Sequence, residues 1–193
     1  MTHIVLFHSI LGCRAAEREI ANTFEKAGHT TYLPDLFDGK TAENYDDGFA
    51  LFRMFDRDQL VDRARDALKS VPENAVLSGI SFGAGMVSSL WADRPKMRGA
   101  LLFAGAAEWA KELPRDLPVQ AHIAKPDPFD DEAYFNEWQT DAPTQNLSIF
   151  RYDKVGHFFL DRAISDFDKD ATKLCLERSI AFLDRLDDKD DVK

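Results

Sequence analysis

The sequence predicts a single α/β domain in which helices cover both faces of a mostly parallel sheet. Short runs rich in β-branched and aromatic residues alternate along the chain with stretches whose apolar residues recur at helical spacing. No internal repeat or low-complexity linker divides the chain, and 193 residues suit one core.

The predicted strands are apolar runs that end at glycine, proline or polar residues. They cover residues 4–7, 30–33, 75–78, 99–103, 119–123 and 147–152. The predicted helices have one apolar face and cover residues 14–26, 46–54, 58–70, 82–91, 130–139 and 171–186. Because most strands are followed by a helix, we expect parallel pairing, with the functional site at the carboxyl ends of the strands.

The composition narrows the function classes. A formal net charge of −10 disfavours non-specific binding to nucleic acid or to an anionic membrane. The apolar N-terminal run lacks the basic region of a signal peptide, and no run is long enough to span a bilayer, so we expect a cytoplasmic protein. Two cysteines, Cys13 and Cys175, form no disulfide framework or metal-binding pair, and Cys13 is expected to be a buried apolar residue.

The segment Gly79-Ile80-Ser81-Phe82-Gly83 lies between a predicted strand and a predicted helix. In that context Gly-x-Ser-x-Gly is typical of a sharp turn that exposes a nucleophilic serine above the sheet. The following helix offers free N–H groups for an oxyanion. Two alternatives are a turn that only packs helix on strand, and a dinucleotide-binding loop that begins at Gly83. The dinucleotide-binding motif Gly-x-Gly-x-x-Gly would need a third glycine at position 88, where this chain has Ser88, and this disfavours the second alternative.

A serine nucleophile needs a base, and the order Ser, Asp, His is expected for such a fold. His157 follows the last predicted strand and is our candidate base, whereas His122 lies inside an alternating strand and is expected to pack there. Asp127 follows the preceding strand between two prolines and is the candidate acid. Asp130 and Asp131 are nearby alternatives that resemble the first turn of a helix.

The remaining parts of the site are predicted from its loops. The backbone N–H groups of Phe82 and Ile10 are the candidate oxyanion donors. Ser9, Tyr45 and Trp109 are candidate pocket residues. The aromatic series of Tyr45, Phe49, Phe52 and Phe55 could border the pocket, although such spacing is more typical of a helix core.

With these features together, the chain resembles the dienelactone hydrolase family of α/β-hydrolases over nearly its full length. The matching segments are 5–9, 28–29, 34–36, 79–85, 127–129 and 156–159. The resemblance implies a small α/β-hydrolase without a large cap. We expect this domain to cover residues 1–186, and the concentration of acidic residues at 187–193 predicts a disordered tail. The resemblance assigns the catalytic triad to Ser81, Asp127 and His157, and the oxyanion donors to Ile10 and Phe82.

Three departures from the family pattern bear on the substrate. Dienelactone-opening enzymes use a cysteine nucleophile where this chain has Ser81, and a first-loop glutamate where it has Ser9. They bind the substrate carboxylate with an arginine four residues past the histidine, where this chain has Asp161, so a carboxylate-bearing dienelactone would meet a negative charge at Asp161. The resemblance therefore argues for the fold and triad, and against a carboxylate-bearing dienelactone as the substrate.

The sequence thus predicts a hydrolase that cleaves a small ester or lactone through an acyl-enzyme, with no metal or organic cofactor. A thioesterase or acyltransferase at the same site, a non-catalytic binder on the same fold, and a nucleotide binder at Gly83-Ala84-Gly85 remain alternatives. We expect a monomer or homodimer that acts on a small molecule, without nucleic acid or membrane partners.

Overall fold

Six parallel strands form one sheet in the structure, a computed structural model that describes residues 1–188. The strands are β1 (His3–Phe7), β2 (Thr30–Tyr32), β3 (Val76–Ile80), β4 (Ala100–Phe103), β5 (Val119–Lys125) and β6 (Leu147–Asp153). Their order across the sheet is β2-β1-β3-β4-β5-β6, so the chain crosses over β1 between β2 and β3. All neighbouring strands pair in parallel, as the sequence predicts.

The helices are α1 (Ala15–Lys26), α2 (Tyr45–Phe52), α3 (Arg57–Leu68), α4 (Phe82–Leu90), α5 (Glu132–Thr140) and α6 (Lys169–Asp188). Asn44, Asp56 and Asp131 cap α2, α3 and α5 by accepting backbone N–H groups of the first turn. Helix α1 ends before Gly28, whose φ of +96° is a conformation that favours glycine. The predicted helices and strands therefore occur within a few residues of their expected bounds.

Side chains on β1 alternate between two cores, which explains why the strand is apolar throughout. Ile4 and Leu6 pack with residues of α1 and α6, whereas Val5 and Phe7 pack with residues of α3 and α4 on the opposite face. Burial on both faces is typical of a parallel sheet between helical layers. The predicted fold class is confirmed, and no additional domain interrupts the sheet within residues 1–188.

Helix α6 continues to Asp188 and so enters the segment predicted as a disordered acidic tail. Asp187 lies 2.8 Å from the N-terminal amine of Met1 and 3.4 Å from Arg98, and Thr2 donates a hydrogen bond to it. These contacts stabilise the last turn, so the disordered tail cannot begin at residue 187. Residues 189–193 of that prediction lie outside the described residues. No helix within the described part combines the length and apolar character that crossing a bilayer requires.

Candidate active site

Ser81 occupies the sharp turn between β3 and α4. Its φ is 52° and its ψ is −109°, a conformation that costs free energy for a residue with a Cβ atom. A Cβ atom at Gly79 would come within 2.1 Å of the Gly83 carbonyl oxygen, and one at Gly83 within 2.2 Å of the Phe7 carbonyl oxygen. The Ser81 N–H donates to the Phe103 carbonyl at 2.8 Å, so the turn is fixed to β4. Glycine is thus required on both sides of Ser81.

His157 lies between Ser81 and Asp127 in the structure. Its Nε2 atom is 2.9 Å from Ser81 Oγ, and its Nδ1 atom is 2.7 Å from Asp127 Oδ2. Because the carboxylate can only accept, Nδ1 carries a proton and the neutral ring presents Nε2 as an acceptor to the serine hydroxyl. His157 is 2% exposed, so solvent does not compete for these bonds. The three residues come from the loops after β3, β5 and β6.

The electrostatics of Asp127 favour an ionised carboxylate. Burial would raise the pKa of Asp127, but its hydrogen bond with His157, the positive charge that His157 carries when protonated, and the N–H groups of Phe129 and Asp130 together hold that pKa below its ordinary value. Oδ1 accepts from Phe129 N at 3.0 Å and from Asp130 N at 3.4 Å. The alternative acid Asp131 is exposed and caps α5, and the structure gives no hydrogen bond between Asp130 and His157.

The loop after β1 presents a free backbone N–H at Ile10. Ser9 Oγ donates to Glu17 at 2.7 Å and accepts from Leu11 N at 3.2 Å, while Gly12 N donates to the Ser9 carbonyl at 3.0 Å. Within residues 1–188 the structure gives no hydrogen-bond partner to Ile10 N or to Phe82 N, the latter in the first turn of α4. Both residues line the pocket at Ser81, so both predicted donors are available there.

A pocket of about 440 Å³ opens beside Ser81 and His157, and most of its surface is apolar. Aromatic side chains from α2 form one wall, so three of the four members of the aromatic series line the pocket, although their spacing is more typical of a helix core. Phe55 instead stacks on Phe37, with ring centroids 5.0 Å apart. The pocket is lined by Ile10, Tyr45, Phe49, Phe52, Ser81, Phe82, Ala104, Gly105, Ala106, Phe129, Asp130 and His157.

Two of the three candidate pocket residues are wrong. Ser9 is 1% exposed and uses its hydroxyl to organise the loop after β1, so it does not line the pocket. Trp109 stacks on Trp91 and Trp138 and donates its indole N–H to the Trp138 carbonyl at 2.7 Å. With Tyr134 and Trp138 it borders a separate cleft. Only Tyr45 lines the pocket as predicted.

The expectation that Asp161 faces the substrate is also wrong. Asp161 is 2% exposed and lies 2.9 Å from the guanidinium of Arg14, which is likewise buried. It is absent from the lining of the pocket. The ion pair connects the loop after β6 to the start of α1, and so Asp161 is a structural residue.

The other histidine and cysteine that the sequence singled out, His122 and Cys13, are buried and do not line the pocket. His122 packs inside the fold, as predicted, between Phe103 and Phe150. Cys13 is also buried as predicted, and burial raises the pKa of its thiol, which disfavours the reactive thiolate. Among residues 1–188, no three His, Cys, Asp or Glu side chains are arranged to hold a metal ion.

Sequence reasoning missed several residues at the site. Asp166, in the loop before α6, accepts hydrogen bonds from the Tyr45 hydroxyl at 2.6 Å and from Phe158 N at 3.1 Å. Nothing in the local sequence distinguishes it from the other acidic residues nearby. Residues 104–106 could have been predicted, because they follow the carboxyl end of β4. Asp130 was considered only as an alternative acid.

Comparisons with known proteins identify the family and the fold of the chain. The model of the dienelactone hydrolase family matches residues 1–186. The chain is similar to a dienelactone hydrolase-like promiscuous phosphotriesterase from metagenomic libraries, with a TM-score of 0.74 and 18% identity over 96% of this chain and 87% of that chain. It is similar to a putative dienelactone hydrolase from Klebsiella pneumoniae, with a TM-score of 0.72 and 15% identity over 95% of this chain and 86% of that one.

A cold-adapted esterase from an Arctic intertidal metagenomic library is also similar, with a TM-score of 0.65 and 12% identity over 94% of this chain and 83% of that chain. Identities this low establish a shared fold and nothing finer. The sequence has no significant match among curated proteins. Since the family model spans nearly the whole chain, the protein belongs to the dienelactone hydrolase family, a family of α/β-hydrolases.

Proposed function

We propose that this protein is a serine hydrolase that cleaves small carboxylic esters or lactones through an acyl-enzyme. The observation that carries the proposal is the continuous set of hydrogen bonds from Ser81 Oγ to His157 Nε2 and from His157 Nδ1 to Asp127, beside an apolar pocket. Membership of a hydrolase family supports the reaction class. A purely structural turn would not require a strained serine that faces a buried, oriented imidazole.

In the proposed mechanism, Ser81 Oγ attacks the substrate carbonyl while His157 Nε2 accepts the hydroxyl proton. Asp127 holds Nδ1 protonated and stabilises the imidazolium that forms. The N–H groups of Phe82 and Ile10 donate to the oxyanion of the tetrahedral intermediate. His157 then gives its proton to the leaving alcohol, and in the second half it activates water to release the acid.

The first test compares wild type with Ser81→Ala on a small p-nitrophenyl ester. We expect the substitution to lower kcat by a factor of about 10³ or more, because it removes the nucleophile. Ser89→Ala is the matched control, since Ser89 Oγ bonds to the Gly85 carbonyl within α4 and lies outside the pocket. Equal hydrolysis by wild type and Ser81→Ala would exclude Ser81 as the nucleophile.

A fluorophosphonate probe separates an enzyme from a non-catalytic binder on the same fold. Wild type is expected to form a covalent adduct that peptide mass spectrometry locates at Ser81, and Ser81→Ala is expected to form none. Absence of labelling in wild type would favour the binder. Lactones, thioesters and acceptor alcohols in the same panel identify which acyl reaction the site prefers.

A further inference from the structure

Asp130 places an unpaired carboxylate on the wall of the pocket. The side chain is partly buried, and within residues 1–188 the structure gives its carboxylate neither a hydrogen bond nor an ion pair. Burial and the nearby charge of Asp127 raise the pKa of Asp130, so a negative charge at this position is held at a free-energy cost. A bound cation would offset that cost.

Other buried or partly buried carboxylates in the described part of the chain have a partner, which is either a cation or a hydrogen-bond donor. Glu132 lies 2.6 Å from Arg151, and Asp161 lies 2.9 Å from Arg14. The pocket around Asp130 contains no lysine or arginine. The Tyr45 hydroxyl in this pocket donates to Asp166. The His157 imidazole is hydrogen-bonded to both Ser81 and Asp127. No side chain in the described part of the pocket therefore balances the charge of Asp130, and a bound ligand that carries a positive charge would do so.

The rings beside Asp130 suit an organic cation. Phe129 contacts Phe49 edge-on, with ring centroids 6.0 Å apart, and contacts Tyr45 in the same manner at 5.2 Å. Phe49 and Phe129 are 38% and 45% exposed, which is high for phenylalanine, and both line the pocket. Aromatic faces attract ammonium groups through the ring quadrupole, most of all quaternary ammonium groups that shed water easily.

We propose that this pocket selects esters that carry a cationic ammonium group, bound between Asp130 and the rings of Phe49 and Phe129, and that it disfavours esters that carry a carboxylate. The inference deepens the proposed function and rests on it. The substrate proposed here carries a positive charge, whereas a dienelactone carboxylate carries a negative one. The sequence suggested this opposition through Asp161, but the residue that faces the pocket is Asp130.

Three p-nitrophenyl esters of similar size test the charge preference. They are the ester of γ-(trimethylammonio)butyrate, its isostere with carbon in place of nitrogen, and the hemiglutarate ester. Enzymatic rates are corrected for the hydrolysis seen without enzyme, and each kcat/KM is then divided by the value for the neutral isostere in the same variant, so that any general loss of activity cancels. At low ionic strength we expect wild type to favour the cationic over the anionic ester by about tenfold or more.

The variant Asp130→Asn removes the charge and keeps the size of the side chain. We expect it to lower the cationic-to-anionic ratio by about tenfold, and high salt to lower the ratio in wild type because exposed charges are screened. Asp131→Asn is the matched control, since it removes a neighbouring exposed charge, retains the cap of α5 and lies outside the pocket. It is expected to keep most of the wild-type ratio.

Failure of this inference and failure of the proposed function give different results. If the neutral ester is hydrolysed in a Ser81-dependent manner but the ratio is the same in wild type and Asp130→Asn, the charge preference is wrong and the proposed function stands. If wild type hydrolyses none of the esters, the proposed function is wrong. Calorimetric binding of phenyltrimethylammonium then decides the inference: tighter binding to wild type than to Asp130→Asn supports it, and equal or absent binding overturns it.

Discussion

At the scale of single residues, the candidate site depends on side chains that local packing holds in one orientation. Ser81 is held by a backbone conformation that its flanking glycines permit, and His157 by a buried carboxylate. Neither arrangement needs a long or flexible side chain. Misplacement of a reacting group by about 1 Å can cost two orders of magnitude in rate, so this rigidity suits catalysis.

Asp127→Asn tests the assignment of the acid. An amide at this position would present N–H groups to His157 Nδ1 and favour the tautomer with a proton on Nε2, which cannot accept the Ser81 proton. We expect kcat on a small ester to fall by a factor on the order of 10³–10⁴ with little change in folding. Steady-state kinetics and circular dichroism measure the two effects.

Asp131→Asn is the comparison for that variant because Asp131 is the exposed alternative from the same loop. Asparagine also caps helices well, so we expect near wild-type kcat from it. A loss of kcat in Asp131→Asn as large as in Asp127→Asn would contradict the assignment of Asp127.

Aspartate and serine occur both at the candidate site and in the structural scaffold, and the sequence alone does not always distinguish these two uses. The order and loops of Ser81, Asp127 and His157 could be predicted, because the elbow sequence and the strand ends are local features. The direction of Asp161 could not, because it depends on the buried guanidinium of Arg14, which is distant in sequence. The same limit applies to Ser9, whose hydroxyl is bound by Glu17.

At the scale of elements, α2 is tied to the loop that carries His157. The Tyr45 hydroxyl donates to Asp166, which also accepts from Phe158 N, next to His157. A Cβ atom at Gly156 would come within 2.4 Å of the Asp166 side chain, so this loop packs closely against the carboxylate. The Tyr45 ring contacts His157 edge-on at 5.9 Å. Helix α2 therefore positions the imidazole as well as lining the pocket.

Tyr45→Phe removes the hydrogen bond to Asp166 and keeps the ring. We expect the free energy of unfolding to fall by about 1–3 kcal/mol, because a partly buried carboxylate loses a donor. We expect kcat to fall roughly threefold to tenfold, equivalent to about 1 kcal/mol of barrier, since His157 is held less firmly. Urea unfolding and ester kinetics provide the measurements.

The control for this change is Tyr134→Phe. Within the described residues the Tyr134 hydroxyl has no hydrogen-bond partner, and the side chain borders a different cleft. Both stability and kcat are expected to stay close to wild type. Tyr45→Phe with unaltered kcat would show that α2 lines the pocket without positioning His157.

At the scale of the whole molecule, the sequence was sufficient for the elements and the layer arrangement. Strand β1 is apolar at every position after His3, and it is buried on both faces, so its composition predicted a parallel sheet. The position of Trp109 was not predictable in the same way. It depends on how α5 brings Trp138 against the loop after β4, a contact between segments that no local periodicity specifies.

A buried polar network at His122 makes the stability of the whole molecule depend on pH. Gln120 Nε2 donates to His122 Nε2 at 2.9 Å, and His122 Nδ1 lies 2.7 Å from the Tyr152 hydroxyl. Gln120 Nε2 also donates to the Arg178 carbonyl, which fixes the direction of the amide. A proton on His122 Nε2 would face this donor. Burial, together with the charge of Arg178, lowers the pKa of His122 to about 3.

The sign of the effect follows from proton uptake. An unfolded histidine binds a proton below about pH 6.5, whereas His122 in the folded protein stays neutral until about pH 3. The unfolded state therefore binds more protons in this window, and stability decreases as the pH falls through it. His8, whose pKa is also lowered by burial, contributes in the same direction.

We therefore expect the free energy of unfolding to fall between about pH 7.5 and about pH 5.5, with His122 contributing about 1.4 kcal/mol of the decrease. His122→Gln cannot titrate, so its decrease over the same interval should be smaller by that amount. Urea unfolding at each pH measures both slopes, which should coincide above about pH 7.5, where neither state takes up a proton at this position. Equal slopes below pH 7 would mean that His122 accepts a proton in the folded protein. An imidazole chemical shift of His122 that stays constant from pH 8 to pH 5 would exclude that explanation without relying on the variant.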